Sequence, residues 1–294
     1  MKRHGKKTVT TILGSDIMKK HSQQKAISTT THTTTISDSP STTIPMKPSK
    51  EYLKVANEPS ILLRRPRRQK EKQLLILDLN GTLVSRTNRR TGMYVRPHMD
   101  TFLDYIFRQF IVMVWSSAQR VSVKRMSHLF GSRKTELRYL LDRRHFGLDW
   151  AQYNSDVETI KDLNKLWNHD KWLDLRKYSA YNTIIIDDSP AKSVLQPYNS
   201  IHISTFNHNS TEFLEKGDQE LLTVMDYLKQ LEQETNIANY IQHSPYSSSS
   251  SLSTMTPSSN RICDYYHFGS IKNGPIRHDF SQPDLENRNK FVVL

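Results

Sequence analysis

Three acidic residues in two places carry the first chemical signal. Asp78 ends the apolar run Leu74-Leu-Ile-Leu77, and Asp187-Asp188 end the run Ile184-Ile-Ile186. A short apolar run stopped by polar residues suits a strand buried on both faces, as in a parallel sheet. The carboxyl ends of such strands are where open α/β sheets bind ligands. If both strands share one sheet, three carboxylates meet at one edge, where they repel and resist ionising unless a cation joins them. Hard oxygen donors with room for water point to Mg²⁺.

A phosphate accounts for further pieces. Ser116 ends the run Phe110–Trp115 and offers a hydroxyl and a backbone N–H. Lys161 opens a short helical stretch and offers a positive charge, and the Asn80-Gly81-Thr82 turn can aim amides at oxygens. A carboxylate nucleophile, Mg²⁺, a lysine and amide donors are what phosphoryl transfer requires, because charge neutralisation and positioning do most of the work. Each piece has a plainer reading when taken singly. Lys161 alone is a solvated helix lysine, and Ser116 alone means nothing. Asn-Gly is the strongest short hairpin signal, which would make Leu74–Leu79 and Thr82–Thr87 two paired strands.

The elements that must position these residues alternate between strand and helix from 73 to 234. Pro97 suits the first turn of a helix, and Met99, Phe102, Leu103, Ile106 and Phe107 follow at helical spacing. Phe110–Trp115 reads as a strand and Gln119–Phe130 as a helix. Arg86–Met93 reads as a polar connector, and Arg138–Trp150 as a small inserted sheet or flap. Ile160–Trp167 is short and amphipathic, Thr183–Pro190 is a strand that ends in carboxylates, and Ile201–Ser204 is another. Gln219–Glu232 places Leu221, Leu222, Met225, Leu228 and Leu231 on one helical face. Strands separated by helices imply βαβ units and an α/β, Rossmann-like parallel sheet.

The flanks differ in texture. The chain has 294 residues, 36% hydrophobic and 24% charged, too polar for one packed domain throughout. Its net charge of +13 is concentrated at the start: residues 1–70 hold fifteen Lys/Arg against four acids, or +11. Residues 1–72 are therefore expected to be a disordered, basic, Ser/Thr-rich tail, and 235–294, with the Ser-rich run 244–251, a second disordered tail open to phosphorylation. The basic run Leu62–Lys72 suits a nuclear address or a polyanion, but it lacks aromatic residues for base stacking, so specific nucleic-acid binding is not expected. A hydroxyl-rich, acid-poor start also fits a mitochondrial transit peptide, although Arg is scarce there. No apolar run approaches a membrane span. The single cysteine, Cys263, excludes an internal disulfide framework and a multi-cysteine metal site.

Asp78-Leu-Asn-Gly-Thr82, Trp115-Ser-Ser-Ala118, Ile160-Lys-Asp-Leu163 and Ile186-Asp-Asp-Ser-Pro190 resemble, in order, the four motifs of the haloacid dehalogenase superfamily. More narrowly they resemble its branch of RNA polymerase II carboxy-terminal-domain phosphatases and NLI-interacting-factor-like proteins. Tyr94-Val-Arg-Pro-His98 is similar to the branch's Arg-Pro element. With four motifs in order, the hairpin reading of Asn80-Gly81 falls away. The resemblance covers about residues 73–234 and implies an aspartyl-phosphate mechanism with Asp78 as nucleophile. It implies that Thr82, Ser116 and Lys161 contact phosphate. Asp78, the carbonyl of Asn80, Asp187 and Asp188 would surround Mg²⁺, and Phe130–Tyr153 would form the substrate-facing insert. The substrate would be a phosphoprotein or phosphopeptide, the RNA polymerase II carboxy-terminal domain among the candidates.

The departure lies at Asn80, where the family has a second aspartate acting as general acid and then general base. An amide hydrogen-bonds but does not exchange a proton at neutral pH. Loss of acid–base help costs about 10²–10⁴-fold in rate. Two readings follow: a Ser/Thr phosphatase of reduced activity, with water or His98 replacing the acid, or a pseudophosphatase that binds phosphopeptide and turns over little. A third, kinship with the mitochondrial inner-membrane translocase subunit of the same family, requires an anchoring helix that the sequence lacks. The expected compartment is nuclear or cytoplasmic, with the mitochondrion as the alternative.

Overall fold

The computed structural model describes residues 46–65, 71–248 and 258–281. Its centre is a five-stranded sheet of β1 (Leu74–Leu77), β4 (Ile111–Trp115), β5 (Leu140–Leu141), β6 (Thr183–Asp187) and β7 (Ser200–His202), ordered β5-β4-β1-β6-β7. Every pairing in it is parallel. The expected α/β sheet is therefore present, and β1 pairs with β4 and β6 rather than with the strand that follows it.

Period-two alternation sends neighbouring residues of each strand to opposite faces. Leu75, Leu77, Val112, Val114, Ile184 and Ile186 enter one core, while Leu74, Ile76, Met113, Trp115 and Ile185 enter the other. The first face is covered by α2 (Met99–Gln109) and α7 (Glu220–Leu231), while the short helices α3 (Arg120–Met126), α4 (Trp150–Asn154) and α6 (Thr211–Lys216) fall between them in the chain. They present Met99, Phe102, Leu103 and Ile106, and Leu221, Val224, Met225, Leu228 and Leu231, at the three-to-four spacing that makes one helical stripe. The second face receives α1 (Lys50–Ala56), α5 (Leu163–Trp167) and α8 (Ile237–His243), through Tyr52, Ala56, Leu163, Leu166, Trp167 and Ala238. Two covered faces explain why these strands are continuous apolar runs.

A second, antiparallel sheet is ordered β2-β3-β8-β9, from β2 (Val84–Arg86), β3 (Gly92–Val95), β8 (Ile262–His267) and β9 (Ile276–Asp279). It relocates two expectations. The small sheet grows from the stretch read as a polar connector, and not from Arg138–Trp150, whose Leu140 and Leu141 instead extend the parallel sheet beside Val114 and Trp115. Of the segment 235–294, expected to be without order, α8 packs under the parallel sheet while β8 and β9 complete the antiparallel one. The physical reason is the pattern Ile262-Cys-Asp-Tyr-Tyr, which buries Cys263 and Tyr265 on one side behind the Ser-rich composition. Likewise α1 falls inside the span 1–72, its first turn capped by the Ser49 side chain. The basic residues 66–70 and the Ser-rich stretch 249–257 lie outside the described residues. Pro97 precedes the helix rather than opening it, because His98 takes the N-cap position in a left-handed conformation (φ 64°).

Candidate active site

Strand register brings the acids together. Leu77 is level with Val114 and Ile186, so Asp78 lies beside Asp187 on one flank and just short of Ser116 on the other. The Asp78 amide donates to the Ile186 carbonyl at 3.0 Å, continuing the ladder into the site. Asp78 is 1% exposed and Asp187 fully buried. Oxygens of Asp78, Asp187 and Asp188 all lie within 4.8 Å of one another.

Lys161 is buried, not a solvated helix lysine. It sits just before α5, whose N-cap is Asp162, and reaches inward. Its Nζ lies 3.2 Å from Asp78 Oδ1 and 2.5 Å from Asp187 Oδ2. A second lysine, which sequence reasoning missed, completes the arrangement. Lys192, in the one-turn 3₁₀ helix Pro190–Ser193, places Nζ 2.9 Å from Asp187 Oδ1, 3.5 Å from Asp78 Oδ2 and 3.7 Å from Asp188 Oδ1. Its spacing four residues beyond Asp188 was the available signal. Burial raises the pKa of Asp187, but the two ammonium groups outweigh it and hold the carboxyl below the usual range. For Asp188 burial wins: it raises the pKa with help from Asp187 and Asp78, against Lys192 and a hydrogen bond from Thr205.

The turn after β1 is built to seat Asp188. Thr82 Oγ1 accepts from the Asp188 amide at 3.1 Å and lies 3.4 Å from Asp188 Oδ1, and Thr205 Oγ1 donates to Asp188 Oδ2 at 3.0 Å. Gly81, at φ +85°, passes so close that a Cβ there would fall 2.3 Å from Asp188 Oδ2. Thr82 thus holds a carboxylate rather than standing open to phosphate. Two of the expected amide donors are also engaged: Gly81 N–H with the Val84 carbonyl, and Ser116 N–H with the Leu141 carbonyl. Ser116 Oγ remains at the sheet edge, accepting weakly from the Ala118 amide at 3.4 Å.

Asn80 is fixed by Arg86, whose Nε donates to Asn80 Oδ1 at 2.7 Å and whose charge acts on Asp78. His98 is turned elsewhere. Its Nε2 pairs with Asn260 Oδ1 at 2.7 Å, and no described hydrogen bond or ion pair links it to the aspartates. The Arg96 guanidinium, 1% exposed, clamps the surrounding loops by donating to Asp218, the Thr82 and Ser204 carbonyls and Ser204 Oγ.

The donor set fits a hard divalent cation. Three carboxylates converge in a buried setting where oxygen is the ligand type on offer, with Lys161, Lys192 and Arg86 around them. The same charges suit a phosphate dianion placed against Asp78, once a cation is present.

Residues 73–238 match the family described as NLI interacting factor-like phosphatase. An uncharacterized FCP1 homology domain-containing protein of Schizosaccharomyces pombe is 36% identical over 190 residues, covering 60% of this chain and 78% of its own. The human ubiquitin-like domain-containing CTD phosphatase 1 is 26% identical over 198 residues, covering 62% of this chain. The chain spans only 60% of that protein's length. The solved structure of Fcp1, an essential RNA polymerase II CTD phosphatase, aligns with a TM-score of 0.35 at 14% identity, over 65% of this chain and 57% of that one. By its matched span, this chain belongs to the NLI interacting factor-like phosphatase family.

Proposed function

We propose that the protein is a Mg²⁺-dependent phosphatase of phosphoserine or phosphothreonine in proteins, working through an aspartyl phosphate on Asp78 and slowed by Asn80. The observation that carries this reading is the position of Asp78. A buried carboxylate at the switch point of a parallel sheet, 3.2 Å from the Lys161 ammonium and beside two further carboxylates, is a nucleophile set in a phosphate-neutralising frame. Mg²⁺ would be held by Asp78, the Asn80 carbonyl and Asp188, with Asp187 behind them, and when bound it supplies charge neutralisation for the phosphoryl oxygens.

An Asp78 oxygen attacks phosphorus in line with the ester oxygen, the P–O ester bond breaks, and the phosphoryl group is carried as an acyl phosphate. The departing alkoxide takes its proton from water, because Asn80 has none to give at neutral pH. Water then attacks the acyl phosphate, releases inorganic phosphate and restores Asp78, again without a positioned base. Lys161 steadies the phosphoryl charge throughout, while Arg86 fixes the Asn80 amide and adds positive charge beside Asp78.

The missing acid–base group favours a second reading on the same site: a phosphopeptide-binding module with little turnover. Trapping separates the two. Full-length protein is incubated with a phosphoserine peptide and Mg²⁺, quenched in acid, and analysed by mass spectrometry with and without hydroxylamine. The first reading expects a phosphoryl adduct on Asp78 that hydroxylamine removes and that Asp78→Asn lacks. Peptide bound with no adduct at any time would establish the second. The basic run before β1 supports a nuclear site of action, and imaging of tagged protein with and without Arg64, Arg65, Arg67 and Arg68 replaced by glutamine tests it, since α1 is left in place.

A further inference from the structure

We infer that Lys192 is a tethered occupant of the carboxylate cluster, one that a divalent cation must displace in order to bind. This rests on reading the cluster as a cation site. The Lys192 ammonium contacts one oxygen from each of the three carboxylates: Asp187 Oδ1 at 2.9 Å, Asp78 Oδ2 at 3.5 Å and Asp188 Oδ1 at 3.7 Å. Lys161 takes different oxygens of the same groups, Asp78 Oδ1 and Asp187 Oδ2. Of the two lysines, Lys192 alone reaches Asp188 among the described ion pairs, so it occupies the face where all three carboxylates converge.

Mg²⁺ binds carboxylate oxygen at about 2.0–2.1 Å and demands near-octahedral space. An ion joined to two of the oxygens that Lys192 contacts would come into contact with Nζ and meet a like charge there. The two cations exclude each other. The geometry also supplies a way out. The Lys192 side chain is 15% exposed, whereas that of Lys161 is fully enclosed. Its backbone stays anchored: the Lys192 carbonyl accepts from the Lys161 amide at 2.8 Å, and its N–H donates to the Ser189 carbonyl at 3.2 Å. Displacement therefore needs only side-chain rotation. Without the divalent ion, Lys192 keeps three crowded carboxylates from repelling; with it, the freed ammonium remains tethered at the rim. The chain thus sets its own threshold for cation binding.

Two measurements on the full-length protein test this. In the first, Mg²⁺ is titrated calorimetrically into wild type and Lys192→Met, and the variant is expected to bind at least about tenfold more tightly, because a like charge near contact has been removed. In the second, wild-type protein is acylated with an amine reagent in chelator or in saturating Mg²⁺, and labelling is read by mass spectrometry. Lys192 is expected to gain reactivity several-fold with Mg²⁺ while Lys161 stays protected. This arm needs no substitution, so a misfolded variant does not decide the matter. Equal affinity together with unchanged Lys192 labelling would overturn the displacement while leaving the cation site intact. Absence of Mg²⁺ binding in both proteins, with Lys192 protected throughout, would remove the cation site and the displacement together.

Discussion

Asn80 and Gly81 are neighbours with opposite consequences for the loop that carries Asp78. Asn80 removes a titrating group from the spot where proton transfer is required, and Arg86 locks the replacement amide in place at 2.7 Å. An aspartate restored there would sit against that guanidinium, which favours its ionised form and therefore its role as base in hydrolysing the acyl phosphate. Gly81 is a steric requirement. Its positive φ and the 2.3 Å approach of a would-be Cβ to Asp188 leave no room for alanine. Gly81→Ala is expected to lower stability by about 2 kcal/mol, from backbone strain plus displacement of Asp188, measured by urea unfolding. An unchanged midpoint would contradict the close packing of that turn. Both positions can be read in the sequence for type but not for role. The motif order exposes Asp78, Lys161, Asp187 and Asp188, whereas the use of the Thr82 hydroxyl to seat Asp188 depends on a residue 106 positions away.

The elements around the site are held by two side chains that single-sequence patterns undervalue. Arg96, at the end of β3, joins the antiparallel sheet to the Thr82 turn, the Ser204 loop and Asp218. Replacing it with methionine leaves the Asp218 charge with only the Glu220 amide and takes the guanidinium from two carbonyls, and the expected cost is about 3 kcal/mol in chemical denaturation, partly recovered by adding Asp218→Asn. His208 is the second. Its Nδ1 lies 2.8 Å from Ser85 Oγ, and the Tyr94 ring stacks on it at 4.2 Å between centroids. Burial pushes its pKa down to about 4. In the unfolded chain the imidazole titrates near 6.5, so between those values the unfolded state binds a proton that the folded state refuses. Stability therefore falls as pH drops from about 6.5 towards 4, by on the order of 2 kcal/mol, and His208→Gln should flatten that part of the profile. A wild-type unfolding free energy independent of pH across this window would refute the neutral buried histidine. The long apolar runs and one-sided helices of the parallel sheet were legible in the sequence because local periodicity encodes them. The antiparallel sheet was not, because β3 finds its partner β8 across some 170 residues, a pairing that no local window contains.

At the scale of the whole molecule, the folded unit extends beyond the matched family span on both sides. Tyr52 and Ala56 of α1 pack with the second core, and Asn236 binds the Val55 and Glu58 carbonyls. At the other end Cys263 shares a small cluster with Phe206 and Phe213, next to the loop that supplies Thr205 to Asp188. Ending the chain after residue 248 removes β8 and β9, opens the β3 edge and uncovers that cluster. Such a protein is expected to melt lower and to aggregate through the bared edge, as read by differential scanning calorimetry and light scattering. Unaltered melting would make the terminal strands dispensable. Activity is therefore best measured on the full chain. The most direct measurement is steady-state hydrolysis of an aryl phosphate in Mg²⁺ by wild type, Asn80→Asp and Asp78→Asn, since the aryl leaving group needs little acid help. With Asp78 as nucleophile and Asn80 as the limit on turnover, Asn80→Asp should exceed wild type by at least about tenfold and Asp78→Asn should show none. Equal rates for wild type and Asn80→Asp, or activity that survives Asp78→Asn, would contradict it.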